Sequence, residues 1–336
     1  MALKIFKSAR AALEGTTRGV DLPPVIALEF DEAFHQQDVQ SIRPVTLNGS
    51  YSAYRSASAG TETNTLELAG ALGYDMAIWL ANTHIKYVAS GVKGVGVDYL
   101  WTFLPTHTSD DIRSATVQIG YSDGLSATQP AMKLNYCLGD ELSIKWDKAG
   151  TGEVRYTSKM VSPVASTAIT AFTGAAAVIG SSYVASAATT AVTVDTTTIG
   201  STADTMWTDL TWTLTNGYQN LYTLSNSTAA VATFRPGPRT WKLEGTRYYG
   251  PTGSASTEMT AYKAKTPRKF RIRSVGPVVG SSTYWVTLDC YGVYTALEWV
   301  ETDGMGMQKF TLEPIYDSGA TSDFVFTVTS ALTTIA

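Results

Sequence analysis

The sequence predicts a mainly antiparallel β chain, and three observations predict it. Apolar residues alternate with polar ones at period two in run after run, the pattern of strands buried on one face. Turn-forming Asp, Gly and Ser residues sit between those runs, where hairpins require them. Charged residues are 16% of the 336 positions, below the ~25% of an ordinary soluble chain, while 44% are hydrophobic and 11% aromatic, so the chain buries a core and is not disordered.

A short helix is expected near residues 5–13. Leu66, Ala69, Leu72, Met76, Ile78, Trp79 and Leu80 then cluster at helical spacing. Gly70 and Gly73 stand near the start of that run and Asn82 near its end, which predicts a helix over 72–84. Strands follow at Ala115, Val117, Ile119 and Tyr121, at Leu142, Ile144 and Trp146, and at Val154 and Tyr156. The turns Ser122-Asp-Gly124 and Lys148-Ala-Gly-Thr-Gly152 separate them. From Pro163 to Asp204 the chain is dominated by Ala, Ser, Thr and Val, with two acids and no base, and reads as a linker with an added hairpin or as an insertion. Such nearly uncharged, strand-prone sequence is an aggregation hazard in water unless a neighbour covers it, which points to an assembly. Further strands run through Leu210, Trp212 and Leu214, through Tyr284, Val286, Leu288 and Cys290, and over Lys309–Ile315 and Asp323–Thr329, with turns at Asp303-Gly304 and Asp317-Ser-Gly319.

At roughly 150 residues per domain the length corresponds to about two domains, although a single large β architecture could also absorb it. An internal echo agrees: Val45-Thr-Leu-Asn-Gly-Ser-Tyr51 and Trp241-Lys-Leu-Glu-Gly-Thr-Arg247 both follow proline-containing approaches, placing Leu47 opposite Leu243. With 25 basic residues against 29 acidic ones, the net charge is −4 and the pI about 5.5, without the basic excess of tight phosphate-backbone binding. Cys137 and Cys290 form no CxxC or metal-spaced pair and read as small buried hydrophobes. The start of the chain lacks a continuous apolar signal region, and no stretch supplies the ~20 apolar residues of a membrane span. The chain is therefore expected to be unexported by the usual route and not membrane-embedded.

Catalytic chemistry is sparse in this sequence. His107, in Pro105-Thr-His-Thr-Ser-Asp-Asp111, reads as a turn bonding its own backbone rather than as a triad, which would gather its members from separated segments. His84 ends the expected helix, where a cation would meet the negative end of the dipole. His35 stands in a polar loop, Phe34-His-Gln-Gln-Asp38. No metal-ligand spacing occurs, and Val92-Lys-Gly-Val-Gly-Val-Asp98 lacks the context of a phosphate cradle, so neither a metal nor a cofactor is expected. The basic run Lys263–Arg273 alternates, placing Lys269, Arg271 and Arg273 on one strand face. That face is either solvated, protecting an edge by charge, or an intersubunit patch meeting Glu298, Glu301 and Asp303 of a neighbour. Trp207, Trp212, Trp241, Trp285 and Trp299 read as sheet core, or alternatively as sugar-stacking platforms.

Taken in order, Ala11-Ala-Leu-Glu-Gly-Thr-Thr-Arg-Gly19, Leu47-Asn-Gly-Ser50, a Ser/Thr-rich loop, the Leu68–Leu80 segment, Trp101-Thr-Phe103 before Ser114-Ala-Thr-Val-Gln118, Leu142-Ser-Ile144 and Gly152-Glu-Val154 resemble the tail tube proteins of long flexible-tailed bacteriophages. The resemblance implies two tail-tube-like β-sandwich or barrel domains, over 1–160 and 206–336, the first with a flanking helix and with 161–205 between them. It implies a structural, non-enzymatic protein of the virion tail, assembled in the host cytoplasm. Its partners would be itself, in trimeric rings of pseudo-sixfold symmetry that stack, the tape-measure protein, and the tail terminator and tail-tip proteins. Double-stranded DNA would pass through without sequence-specific binding. On this reading Asp140, Glu141, Glu298, Glu301 and Asp303 are candidate lumen acids that repel a passing polyanion. Lys269, Arg271 and Arg273 form the candidate intersubunit strand, and Tyr54, Arg55 and Glu62, in the loop Ser52–Thr65, are candidate stacking residues. The alternatives are a carbohydrate-binding or adhesion module, and a β-rich hydrolase with Asp289 and Glu298 as its acid pair.

Overall fold

A computed structural model describes residues 8–42, 58–94, 96, 98–105, 112–120, 131–150, 152–164, 166–169, 172, 177–178, 183–223, 230–249, 254–279, 282–302 and 304–335. The fold is mainly β, as the alternation predicts. The chain runs through β1 (Ser8–Leu13), β2 (Ile26–Leu28) and the long hairpin of β3 (Glu32–Ile42) and β4 (Ser58–Ala71) into helix α1 (Tyr74–His84). Next come β5 (Val92–Lys93), β6 (Tyr99–Phe103), β7 (Ala115–Gly120), the 17-residue β8 (Ala131–Asp147) and β9 (Val154–Ser162). The Ala/Ser/Thr-rich stretch supplies β10 (Thr167–Ile169), β11 (Ala177–Val178) and β12 (Thr190–Asp195). β13 (Trp207–Thr215), the small hairpin β14 (Gln219–Leu221) and β15 (Ala232–Phe234), and β16 (Thr240–Tyr248) lead into α2 (Ser254–Ala264). β17 (Arg268–Val279), the 21-residue β18 (Ser282–Thr302), β19 (Met305–Pro314) and β20 (Phe324–Ser330) complete it.

The two halves build the same unit. In the first, β8 pairs with β7 and β10 along its N-terminal part and with β9 along its C-terminal part, while β4, the strand before α1, lies between β9 and β3. In the second, β18 pairs with β17 and β20 and then with β19, while β16, the strand before α2, lies between β19 and β13. β1 flanks β7 as β12 flanks β17. The irregularities agree as well. Register shifts between Gly139 and Glu141 of β8 and between Tyr294 and Ala296 of β18 lie where each long strand exchanges its earlier partners for its later one.

Aligned at those bulges, Met160 corresponds to Leu312, Leu66 to Leu243, and their neighbours His35 to Trp212. The same number of residues lies between His35 and Leu66 as between Trp212 and Leu243. Leu243 thus has its counterpart in Leu66; Leu47 lies outside the described residues.

Strands of both units contribute to one buried cluster that includes Ala11, Val117, Leu66, Tyr156, Trp212, Phe270 and Phe326. All eleven residues of α1 are buried, so the helix sits inside the core, and its polar side chains are held by hydrogen bonds there: Asn82 donates to the Ile78 carbonyl, Thr83 to that of Trp79, and Asp75 accepts from Ser330. It starts at Tyr74, two residues later than the spacing predicts, because Leu72 bonds to the sheet: its N–H donates to the Val154 carbonyl and its carbonyl accepts from Ala185.

Residues 8–13 are a strand, correcting the expected helix near 5–13. Ala9 and Ala11 are buried between β2 and β7, and pairing on both sides overrides the helix propensity of an Ala/Arg/Leu sequence. Phe34–Asp38 is likewise strand rather than loop, at the outer side of the β3–β4 hairpin.

Candidate assembly interface

The two units meet where β8 and β13 pair antiparallel, from Asp147 opposite Asp209 to Glu141 opposite Thr215. This seam fuses β3-β4-β9-β8 and β13-β16-β19-β18 into one continuous sheet. A buried row crosses it through Tyr156, Ile144, Trp212, Leu243 and Leu312, each opposite the next. The opposite face is polar, because side chains alternate across a strand. Thr157, Ser143, Thr213 and Lys242 form one of its rows, with the Ser143 and Thr213 hydroxyls 3.3 Å apart, and Lys242 lies 3.1 Å from Glu244. Hydroxyls and charges of both signs make up this face, with no basic stripe that would hold a polyanion.

Among the described residues the sheet ends in two open edges. Among the described residues β3 pairs only with β4, and β18 beyond Gly292 pairs only with β19. Neither edge carries the Pro or Lys that commonly blocks edge-to-edge pairing. Large apolar side chains stand there in water instead: Phe34 is 58% exposed and Trp299 53%. The sequence places Trp299 in a sheet core or a sugar platform and Phe34 in a polar loop, and neither at a sheet edge, because a strand with one partner shows no clean alternation.

The candidate acids separate. Glu141, opposite Lys159 and Thr215, and Glu298, opposite Lys309, lie on the polar face. Glu301, three residues beyond Glu298 on the same strand, projects to the other face, so the lumen set does not share a surface. Asp140 is the bulged residue of β8; its carboxylate accepts from Tyr218 N–H at 2.8 Å and its carbonyl from Asn216 N–H at 2.7 Å, fixing the turn after β13. Asp303 lies outside the described residues, as do Tyr54 and Arg55. Glu62 is buried on β4, accepting from Gln37 and Asn64 at 2.8 and 2.9 Å, rather than displayed on a loop.

The basic strand alternates as expected, but two of its charges meet acids of the same chain. Arg271 forks onto Asp289 through two bonds of 2.8 Å, and Lys269 reaches Asp317 at 2.7 Å. Asp289 and Lys269 respectively hold the Arg271 pKa above and the Asp317 pKa below their ordinary values. Arg273 lies over the Trp285 ring at 4.7 Å. These partners replace the expected meeting with Glu298, Glu301 and Asp303. Asp289 and Glu298, the acid pair of the hydrolase reading, are nine residues apart along β18, roughly 30 Å at ~3.3 Å per residue, and do not converge.

Of the tryptophans, Trp212 and Trp241 are core and Trp207 packs on Phe310 at 4.4 Å, whereas Trp299 stacks edge-on against Tyr249 at 4.6 Å. They form no row of platforms. A cleft beside α2 gathers Asp195, Asp204, Arg247, Glu258 and Arg268. Its charges pair internally, Arg247 with Asp204 at 3.0 Å and Arg268 with Glu258 at 3.1 Å, while backbone N–H groups of Gly200, Ser201 and Thr202 donate to Asp195.

His84 is not the helix-end cation that its position suggests. Fully buried, it is pushed down to a pKa of about 4 by desolvation, with Nδ1 against the Leu80 carbonyl at 2.9 Å and Nε2 near Ser158 Oγ at 3.1 Å. Burial raises both Cys137 and Cys290, which are free thiols. No helix among the described residues is long and apolar enough to cross a membrane, and no group of three or more metal-ligating side chains gathers among them. No protein-family model matches the chain, and no curated protein matches it significantly.

Proposed function

We propose that this chain is the structural subunit of a phage tail tube. Copies join edge to edge into rings, the polar face of the sheet lines the lumen, and stacked rings enclose the tape-measure protein before conducting double-stranded DNA. Terminator and tip proteins close the two ends in the virion tail. The observation that carries this reading is the internal seam: two equivalent four-stranded units already joined side by side, ending in edges that carry neither Pro nor Lys. The polar face supports it, since mixed charges and hydroxyls let a polyanion slide without tight binding. Three chains would supply six equivalent units to a ring.

Negative-stain electron microscopy across a concentration series tests the reading. Rings or tubes with a central hole are expected, with threefold symmetry that approximates sixfold. A chain that stays monomeric at high concentration and with its initiating tail-tip partner present would overturn it.

A further inference from the structure

The internal seam has a geometry that can be transferred to the open edges. The bulge alignment maps Ser143, Ile144 and Lys145 of β8 onto Glu298, Trp299 and Val300 of β18, and Thr213, Trp212 and Thr211 of β13 onto Gln36, His35 and Phe34 of β3. In the seam those residues are direct partners: Ser143 with Thr213, Ile144 with Trp212, Lys145 with Thr211.

We infer that β18 of one chain pairs antiparallel with β3 of a second copy in the same register, placing Glu298 opposite Gln36, Trp299 opposite His35 and Val300 opposite Phe34. The inference rests on the ring-forming reading and adds which residues meet. Four features of the edges favour this register over its neighbours. Val300 and Phe34 would cover one another on a face that is otherwise polar, and the exposed Trp299 would gain the flat side of an imidazole on the core face. Sliding by two residues one way would set Glu298 against Asp38, and the other way would set Val300 against Glu32; the first opposes like charges and the second leaves Phe34 facing Glu298. A slip of one residue would set Trp299 opposite Phe34 or Gln36, joining the core face of one copy to the polar face of the other.

Cysteine pairs read the register directly, because a disulfide needs Cβ atoms about 3.5–4.5 Å apart, which direct partners provide and diagonal ones at roughly 7 Å do not. Gln36, Phe34, Asp38 and Glu298 are all exposed, and Cys137 and Cys290 are buried. Three double variants combine Glu298→Cys with Gln36→Cys, Phe34→Cys or Asp38→Cys, each checked for native circular dichroism and for rings by microscopy before mild oxidation. Covalent oligomers roughly tenfold more abundant for Gln36→Cys than for either other variant are expected. If rings form but a shifted pair cross-links better, or none does, the register is wrong while the ring-forming reading stands. If no variant and no wild-type sample forms rings, even at high concentration with the initiating tail-tip partner present, both fail together.

Discussion

Gly139 lies directly beneath the imidazole of His84: a Cβ built on this glycine would fall 2.4 Å from the ring. The contact joins the C-terminus of α1 to the bulge at which β8 exchanges partners. The ring cannot yield easily, since Leu80, Thr83 and Ser158 hold both of its nitrogens. Gly139→Ala is therefore expected to destabilise the chain by about 2–3 kcal/mol, as overpacking of a rigid core does. Urea unfolding measures this. In a double-mutant cycle His84→Ala should relieve part of the penalty, and strict additivity would remove the steric explanation.

Protonation acts on the same ring. The folded pKa of about 4 lies below the ordinary 6.5, so the unfolded chain binds the proton more readily. The stability contributed by neutral His84 is complete above pH 6.5, is lost as pH falls toward 4, and changes no further below that. Between pH 7 and 4.5 a loss of about 2–3 kcal/mol from this group is expected. His84→Gln should flatten that part of the profile; an unchanged slope would assign the loss to other groups.

Lys269 and Arg271 are predicted to matter for folding and not for assembly. Arg271→Lys gives up one arm of the fork to Asp289, and at a third exposed the pair is worth only about 0.5–1 kcal/mol. The melting temperature should fall slightly while the concentration at which rings appear stays constant. A shifted assembly threshold at equal stability would restore the intersubunit role.

The seam also distinguishes its two faces energetically. Trp212, fully buried between Ile144 and Leu243 with its ring centroid 5.2 Å from that of Phe324, should cost about 3–5 kcal/mol on replacement by alanine. Thr213→Ala, one residue along on the polar face, should cost less than about 1 kcal/mol. Comparable losses at both positions would mean that the polar face is itself packed.

What was legible in the sequence follows from where burial is one-sided. Leu142, Ile144 and Trp146, or Leu210, Trp212 and Leu214, announce strands because one face is core and the other wet. α1 shows itself through its dense apolar run. α2 does not, because among its described side chains Glu258 and Ala261 are the deeply buried ones, a carboxylate held by Arg268 and a methyl group. The duplication lies in pairing and loop length rather than in letters, so His35 and Trp212 share a place without sharing chemistry. Glu298 and Glu301, by contrast, could have been separated from spacing alone, since residues three apart on a strand face opposite ways.

On the ring-forming reading, carrying one seam inside the chain changes how a ring responds to dilution. The β8–β13 seam is tethered, so its partner strand is present at a fixed effective concentration whatever the bulk concentration. Only the seam between copies loses translational freedom on closing. A ring of duplicated chains therefore brings together half as many free bodies as one of single units. Its onset should depend on concentration with a correspondingly lower order, leaving half of its seams intact when it falls apart.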